Sequence, residues 1–103
     1  MSRWVEAVPF ASIEEEDLVR FDHDGRTYVL VRTGGEVYAL DGLCTHEAAH
    51  LADGVVNGHV LECPKHSGRF DVRDGRALRV PARVALRSYA TKVEQGLVYI
   101  EIA

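Results

Sequence analysis

The sequence predicts an all-β fold, with several small antiparallel sheets forming a barrel- or sandwich-like base and one inserted segment. Three observations carry that expectation. Turn dipeptides recur between short runs rich in Val, Tyr, Leu and Ile. In residues 88–94 and 97–102 the apolar residues alternate with period two, as one face of a strand requires. An irregular stretch at about residues 41–70 collects both cysteines together with His46, His50 and His66.

Taken in order, Ser12-Ile13-Glu14-Glu15 fits a capping box and predicts a single helical turn, with the acids of residues 14–17 on a solvated turn. Asp24-Gly25, Gly34-Gly35, Asn57-Gly58 and Asp74-Gly75 are hairpin dipeptides, because tight hairpins need residues that tolerate positive φ. Residues 26–32 and 36–40 read as strands flanking Gly34-Gly35. Residues 88–94 alternate, placing Tyr89, Thr91 and Val93 on one face. After Gln95-Gly96, residues 97–102 place Val98, Ile100 and Ile102 together. Trp4 reads as core packing. No repeat or linker is visible, so the 103 residues are expected to form one domain, with the inserted subdomain at about 41–70.

Composition excludes several classes of function. No run approaches 18 apolar residues, which argues against a membrane span. Met1-Ser2-Arg3-Trp4-Val5-Glu6 lacks the basic and apolar regions of a signal peptide, so a cytoplasmic location is expected. The net charge of −4 is unevenly spread: residues 1–62 carry twelve acids and four bases, residues 63–103 four acids and eight bases. The basic half reads as solvated strand and loop faces. Overall acidity and the lack of interleaved aromatics oppose nucleic-acid binding. No phosphate loop, Rossmann fingerprint or Ser–His–Asp arrangement supports an enzyme.

The chemistry lies in two short pairs, Cys44-Thr45-His46 and, after sixteen intervening residues, Cys63-Pro64-Lys65-His66. Gly42, Gly54, Gly58 and Gly68 flank them, and small residues let backbone N–H groups approach a ligand closely. Buried cysteines packing as small hydrophobes are the plainest alternative. Two Cys/His pairs in this spacing point instead to a metal. Two Cys and two His also suit zinc, but common zinc modules segregate Cys pairs from His pairs. Here each loop supplies one of each, which suits a binuclear cluster with thiolates on one iron and imidazoles on the other. His50, four residues beyond His46, is a competing ligand candidate but reads better as an exposed or hydrogen-bonding loop histidine. His23 and His59, beside turn glycines, read as solvent-facing.

Cys44-Thr45-His46 with Cys63-Pro64-Lys65-His66-Ser67-Gly68 resembles the Rieske signature, and Tyr38-Ala39-Leu40-Asp41, Leu51-Ala52-Asp53-Gly54 and Gly68-Arg69-Phe70-Asp71 agree with it. Nearly end to end, the chain resembles the Rieske-type ferredoxin components of bacterial aromatic-ring-hydroxylating dioxygenase systems. The resemblance implies the Rieske fold and one 2Fe–2S cluster, with Cys44 and Cys63 on the buried iron and His46 and His66 on the outer one. It implies a monomeric one-electron carrier between an NAD(P)H-dependent flavoprotein reductase and a terminal Rieske oxygenase. Lys65 stands where high-potential relatives have an extra cysteine. Gly68 and Phe70 stand where they have hydroxyl donors to cluster sulfur, and Ser67 is shifted by one residue. A potential near the bottom of the Rieske range, roughly −150 mV, is therefore expected. Glu47 departs from the small or amide residue usual after the first histidine. Pro81 resembles the proline of the loop that covers the cluster. Competing readings are a Rieske-like small subunit of another redox enzyme, such as a nitrite reductase, and a structural zinc module.

Overall fold

The computed structural model describes residues 3–45, 49–65, 67–80 and 82–102. Among the described residues eleven strands follow one another: β1 (Arg3–Pro9), β2 (Asp17–His23), β3 (Arg26–Thr33), β4 (Glu36–Asp41), β5 (Val55–Asn57), β6 (Val60–Glu62), β7 (Arg69–Asp71), β8 (Ala77–Arg79), β9 (Ser88–Tyr89), β10 (Thr91–Glu94) and β11 (Leu97–Ile102). They form three antiparallel sheets, ordered β1-β11-β10, β2-β3-β4-β9 and β5-β6-β7-β8. Two short 3-10 turns, Phe10–Ser12 and Leu51–Asp53, complete the described structure. None of the described segments is a helix long and apolar enough to cross a membrane.

The sheet containing β3 and β4 is the central layer, and its sequence explains why. β3 reads Arg-Thr-Tyr-Val-Leu-Val-Arg-Thr, an apolar run without alternation, because both faces are covered. Tyr28 and Leu30 of β3, with Val37 and Ala39 of β4, pack against Val98, Ile100 and Ile102 of β11 in a basal core. Val29 and Val31, with Leu40, point the other way into a second core shared with Cys44, Leu51, Leu61, Cys63 and Phe70. The inserted segment therefore rests on the base through a continuous apolar contact and has a sheet of its own.

The predicted hairpins at Asp24-Gly25 and Gly34-Gly35 are present, with φ of 50° and 76° at the first and 63° and 78° at the second. A third, Gln95-Gly96, joins β10 to β11 with φ of 51° and 78°. The expected capping box is absent. The helical turn ends at Ser12, whose hydroxyl donates to the Pro9 carbonyl at 2.6 Å. Ile13 is extended and fully buried in the basal core, which leaves no room for a helix to continue. The acids that follow are not merely solvated. The Glu15 carboxylate accepts the N–H groups of Gly34 and Gly35 at 2.6 and 3.0 Å, which holds its pKa below the ordinary value, and that of Glu16 accepts Gly58 N–H at 3.1 Å.

The run at residues 88–94 divides. Ser88 and Tyr89 pair with β4, whereas Thr91 onward pairs with β11, so the chain changes sheet at Ala90. Trp4 is 41% exposed, on the outer side of the basal sheet, with the Lys92 ammonium 4.5 Å above its ring. It is not core packing.

Asp74-Gly75 does not make a two-residue hairpin; residues 72–76 form a longer loop organised by Asp71. That buried carboxylate accepts Arg73 Nε and Nη2 at 3.0 and 2.8 Å and Arg73 N–H at 2.9 Å. Hydrogen bonding to Arg73 leads, ahead of the charges of Arg73 and Arg76, in lowering its pKa from 3.8 to about 2. A depressed carboxylate stabilises the fold fully above its unfolded pKa and loses that contribution as pH falls through the folded value. Asp71→Asn should therefore cost on the order of 2 kcal/mol at pH 7. The gap from the unsubstituted protein should close between about pH 4 and pH 2, as urea denaturation at several pH values would show.

Candidate metal centre

Three loops meet beyond the central sheet. The first leaves β4 at Asp41 and is rooted on β3, where Gly42 N–H donates to the Thr27 carbonyl at 3.0 Å. Leu43 bridges to His50, and Cys44 N–H donates to the Ala49 carbonyl at 2.9 Å, so the chain folds back on itself with Cys44 inside. The second loop joins β6 to β7. Cys63 N–H donates to the Gly68 carbonyl at 2.7 Å, and Ser67 takes φ of 59° as the chain reverses. Lys65 N–H points at Cys63 Sγ across 3.4 Å, the contact a backbone amide makes to a sulfur bearing negative charge.

The third loop follows β8 and was invisible in the sequence apart from Pro81, which lies outside the described residues. It is tied to both others. Thr45 Oγ1 donates to the Val84 carbonyl at 2.6 Å. A methyl group on Gly68 would stand 3.1 Å from Ala82 Cβ, so a side chain at 68 would push this loop outward by a few tenths of an ångström. Leu86 N–H donates to the Gly75 carbonyl at 2.8 Å, anchoring its far end. The available signal was the pairing of small residues, Gly68 with Ala82.

Cys44 and Cys63 are thus brought into one apolar core, 5% and 1% exposed, among Leu51, Leu61, Phe70, Val72, Ala82 and Leu86. His46 and His66 lie outside the described residues, as do Glu47 and Ala48. Among the described residues no three His, Cys, Asp or Glu side chains group to hold a metal. The described thiols nonetheless fit a cluster held by thiolates on its buried side. They are shielded from water, they sit on two loops each closed by a backbone hydrogen bond, and one already receives an N–H donor.

The remaining histidines have other surroundings. His50 lines a cavity of about 540 Å³ with Arg20, Asp22, Arg26, Thr27 and Asp41, on the β2–β3 side of the loop it closes. His23 lies 3.3 Å from Asp24 and stacks on Phe21, and His59 meets the ring of Tyr38 edge-on; both are half-buried, not simply solvated. Phe70 is fully buried and Gly68 abuts Ala82, so neither position offers a hydroxyl.

The comparisons with known proteins agree with this geometry. A model of the Rieske [2Fe-2S] domain matches residues 3–90. The ferredoxin component of the naphthalene 1,2-dioxygenase system of Pseudomonas aeruginosa is 41% identical, over 98% of this chain and 97% of that one. The structure of the Sphingomonas yanoikuyae B1 ferredoxin superposes with a TM-score of 0.93 at 30% identity, covering 98% of this chain and all of that one. A complex of reduced oxygenase and oxidised ferredoxin in carbazole 1,9a-dioxygenase contains a chain matching at TM-score 0.90 and 31% identity, over 94% of this chain and 91% of that one.

Proposed function

The chain belongs to the Rieske [2Fe-2S] domain family, and we propose that it is the ferredoxin component of an aromatic-ring-hydroxylating dioxygenase system, a one-electron carrier and not a catalyst. In this reading it is a cytoplasmic monomer and a single domain spanning residues 1–103. It takes electrons from an NAD(P)H-dependent flavoprotein reductase and delivers them to a terminal oxygenase. The observation that carries the reading is the burial of Cys44 and Cys63 in one core, each two or three residues in sequence from a histidine, His46 and His66.

Cys44 and Cys63 would hold a 2Fe–2S cluster from the protein side, and His46 and His66 from the outer side. The cluster, when bound, supplies a one-electron couple, raised above that of an all-cysteine cluster because imidazole is neutral where thiolate is anionic. The protein does the rest. Its three loops exclude water from the thiolates, and the Lys65 amide offsets charge on Cys63 Sγ. With four protein ligands no position stays open for substrate.

The purified protein should be coloured and contain about two irons and two sulfides per chain. It should accept one electron at a midpoint of roughly −150 mV, the low end expected without hydroxyl donors. With a reductase and an oxygenase it should restore NADH-dependent oxygenation of an aromatic substrate. A colourless zinc protein, or a midpoint well above zero, would contradict this reading.

A further inference from the structure

Tyr89 lies where the third loop rejoins the central sheet, and its hydroxyl donates to Asp41 Oδ1 at 2.5 Å. That length is typical of a hydroxyl bound to an ionised carboxylate. Among the described residues it is the tyrosine whose hydroxyl meets a carboxylate. The ring stands edge-on to buried Tyr28, with centroids 5.2 Å apart, and the Arg87 guanidinium lies 5.3 Å over it. Burial of the ring, followed by the bond to Asp41, pushes the phenol pKa up to about 12. Arg26 Nη2 approaches Asp41 Oδ1 only to 3.8 Å, so the short bond to this carboxylate is that of Tyr89.

These surroundings decide how the phenol can lose an electron. It cannot shed its proton first, because the phenolate is inaccessible near neutral pH. Nor is the electron easily lost alone, since the Arg87 charge over the ring opposes a radical cation. An electron and a proton leaving together meet neither obstacle. The neutral radical carries no charge for Arg87 to repel, and the proton has an acceptor already in line.

Asp41 is also the root of the first cysteine loop. Gly42 and Leu43 alone separate it from Cys44. The Gly42 N–H donates to the Thr27 carbonyl at 3.0 Å, and Leu51 N–H donates to the Gly42 carbonyl at 2.9 Å. One hydrogen bond and a short length of anchored backbone therefore connect the phenol to Cys44.

We propose that Tyr89, with Asp41 as its proton acceptor, is a second one-electron site, which reduces oxygen-centred radicals before they reach the cysteine thiolates and is itself restored by the reduced cluster. In the first step the Tyr89 O–H bond breaks and the electron reduces the oxygen-centred radical to its anion. The proton forms an O–H bond on Asp41, leaving a neutral phenoxyl radical beside a carboxylic acid. In the second step the phenoxyl radical takes one electron from the reduced cluster, which becomes oxidised, and the proton returns from Asp41. The second step alone rests on the electron-carrier reading above.

The first step is tested on the oxidised, cluster-containing protein by flash photolysis of tris(bipyridine)ruthenium(II) with persulfate, which releases the one-electron oxidant ruthenium(III). A tyrosyl radical should appear in near-ultraviolet absorption and in the paramagnetic resonance of frozen samples. Tyr89→Phe should lower its yield several-fold, and Tyr99→Phe, on the base, should leave it unchanged. Asp41→Asn keeps the phenol but removes the proton acceptor, and should slow radical formation about tenfold. Equal yield in Tyr89→Phe, or an unchanged rate in Asp41→Asn, would overturn the proposal.

The second step is read on protein reduced with dithionite and freed of the excess. The radical should vanish several-fold faster than in the oxidised protein, and the visible bands of the oxidised cluster should return in the same kinetic phase. Ruthenium(III) also oxidises the cluster directly, so the phase that counts is the one missing from Tyr89→Phe. Bleaching of the cluster by peroxyl radicals from a thermal azo initiator should run several-fold faster in that variant. A radical lifetime indifferent to the oxidation state of the cluster, or equal bleaching, would overturn this step. Failure of the carrier reading looks different: a protein without visible absorption, in which the radical still forms on Tyr89 and Asp41→Asn still slows it.

Discussion

Cys63→Ser protein should be colourless and hold almost no iron, while retaining the far-ultraviolet signature of its strands. Cys63 is 1% exposed and lies against Leu61, Phe70 and Val72, so no solvent ligand reaches its place easily. A serine hydroxyl is a poor substitute for thiolate, because it is harder and remains protonated at neutral pH. The backbone bond from residue 63 to Gly68 does not depend on the side chain, so the loop can still close. Its stability should nevertheless fall, since a ligand bound only by the folded state contributes its binding free energy to folding. Iron analysis and thermal melting of the same preparation separate the two effects. Iron retained with an unaltered spectrum would remove Cys63 from the ligand set. A companion substitution, His66→Cys, adds a negative ligand and should either lose the cluster or lower its potential strongly.

Gly75→Ala should be the most destabilising single methyl addition in the chain. Gly75 has φ of 82°, in the left-handed region, and a Cβ there would lie 2.1 Å from the Leu86 carbonyl oxygen. That oxygen belongs to backbone, and Leu86 itself is buried, so the clash cannot be relieved by rotating a side chain. Backbone strain and overpacking each cost roughly 1–3 kcal/mol. Their sum, about 4 kcal/mol, is a large part of the stability of a domain this size. Gly34→Ala is the internal control. It shares a positive φ, at 63°, but nothing lies within 4 Å of the added methyl, so only the strain remains. Denaturant unfolding that placed the two variants within 1 kcal/mol of each other would refute the role given to the Gly75–Leu86 approach.

The hairpins were legible because their signals are local. Asp24-Gly25 and Gly34-Gly35 lie between apolar runs and state their own backbone conformation. The two cysteines stood out because each falls in a short Cys/His pair, and the structure brings Cys44 and Cys63 into one core, while His46 and His66 lie outside the described residues. What escaped depends on partners far along the chain. Residues 88–94 alternate faithfully, but alternation cannot say that Ser88 and Tyr89 pair with β4 while Thr91 onward pairs with β11, in two different sheets. The capping pattern at Ser12 lost to the burial of Ile13, a tertiary effect of greater magnitude than one cap. The wall formed by residues 82–87 is defined by contacts to Thr45, Gly68 and Gly75, none of them near it in sequence.

β3 has no outward face, because Tyr28 and Leu30 serve one core while Val29 and Val31 serve the other. Neither core can melt without stripping a wall from its neighbour. The protein should therefore open as one cooperative unit, and the amides of β3 should exchange with deuterium only through global unfolding. Withdrawal of the metal should then be felt at a distance. Protection at Val98 and Ile100, on the far side of the molecule, should fall in step with protection at Leu61, although no ligand touches them.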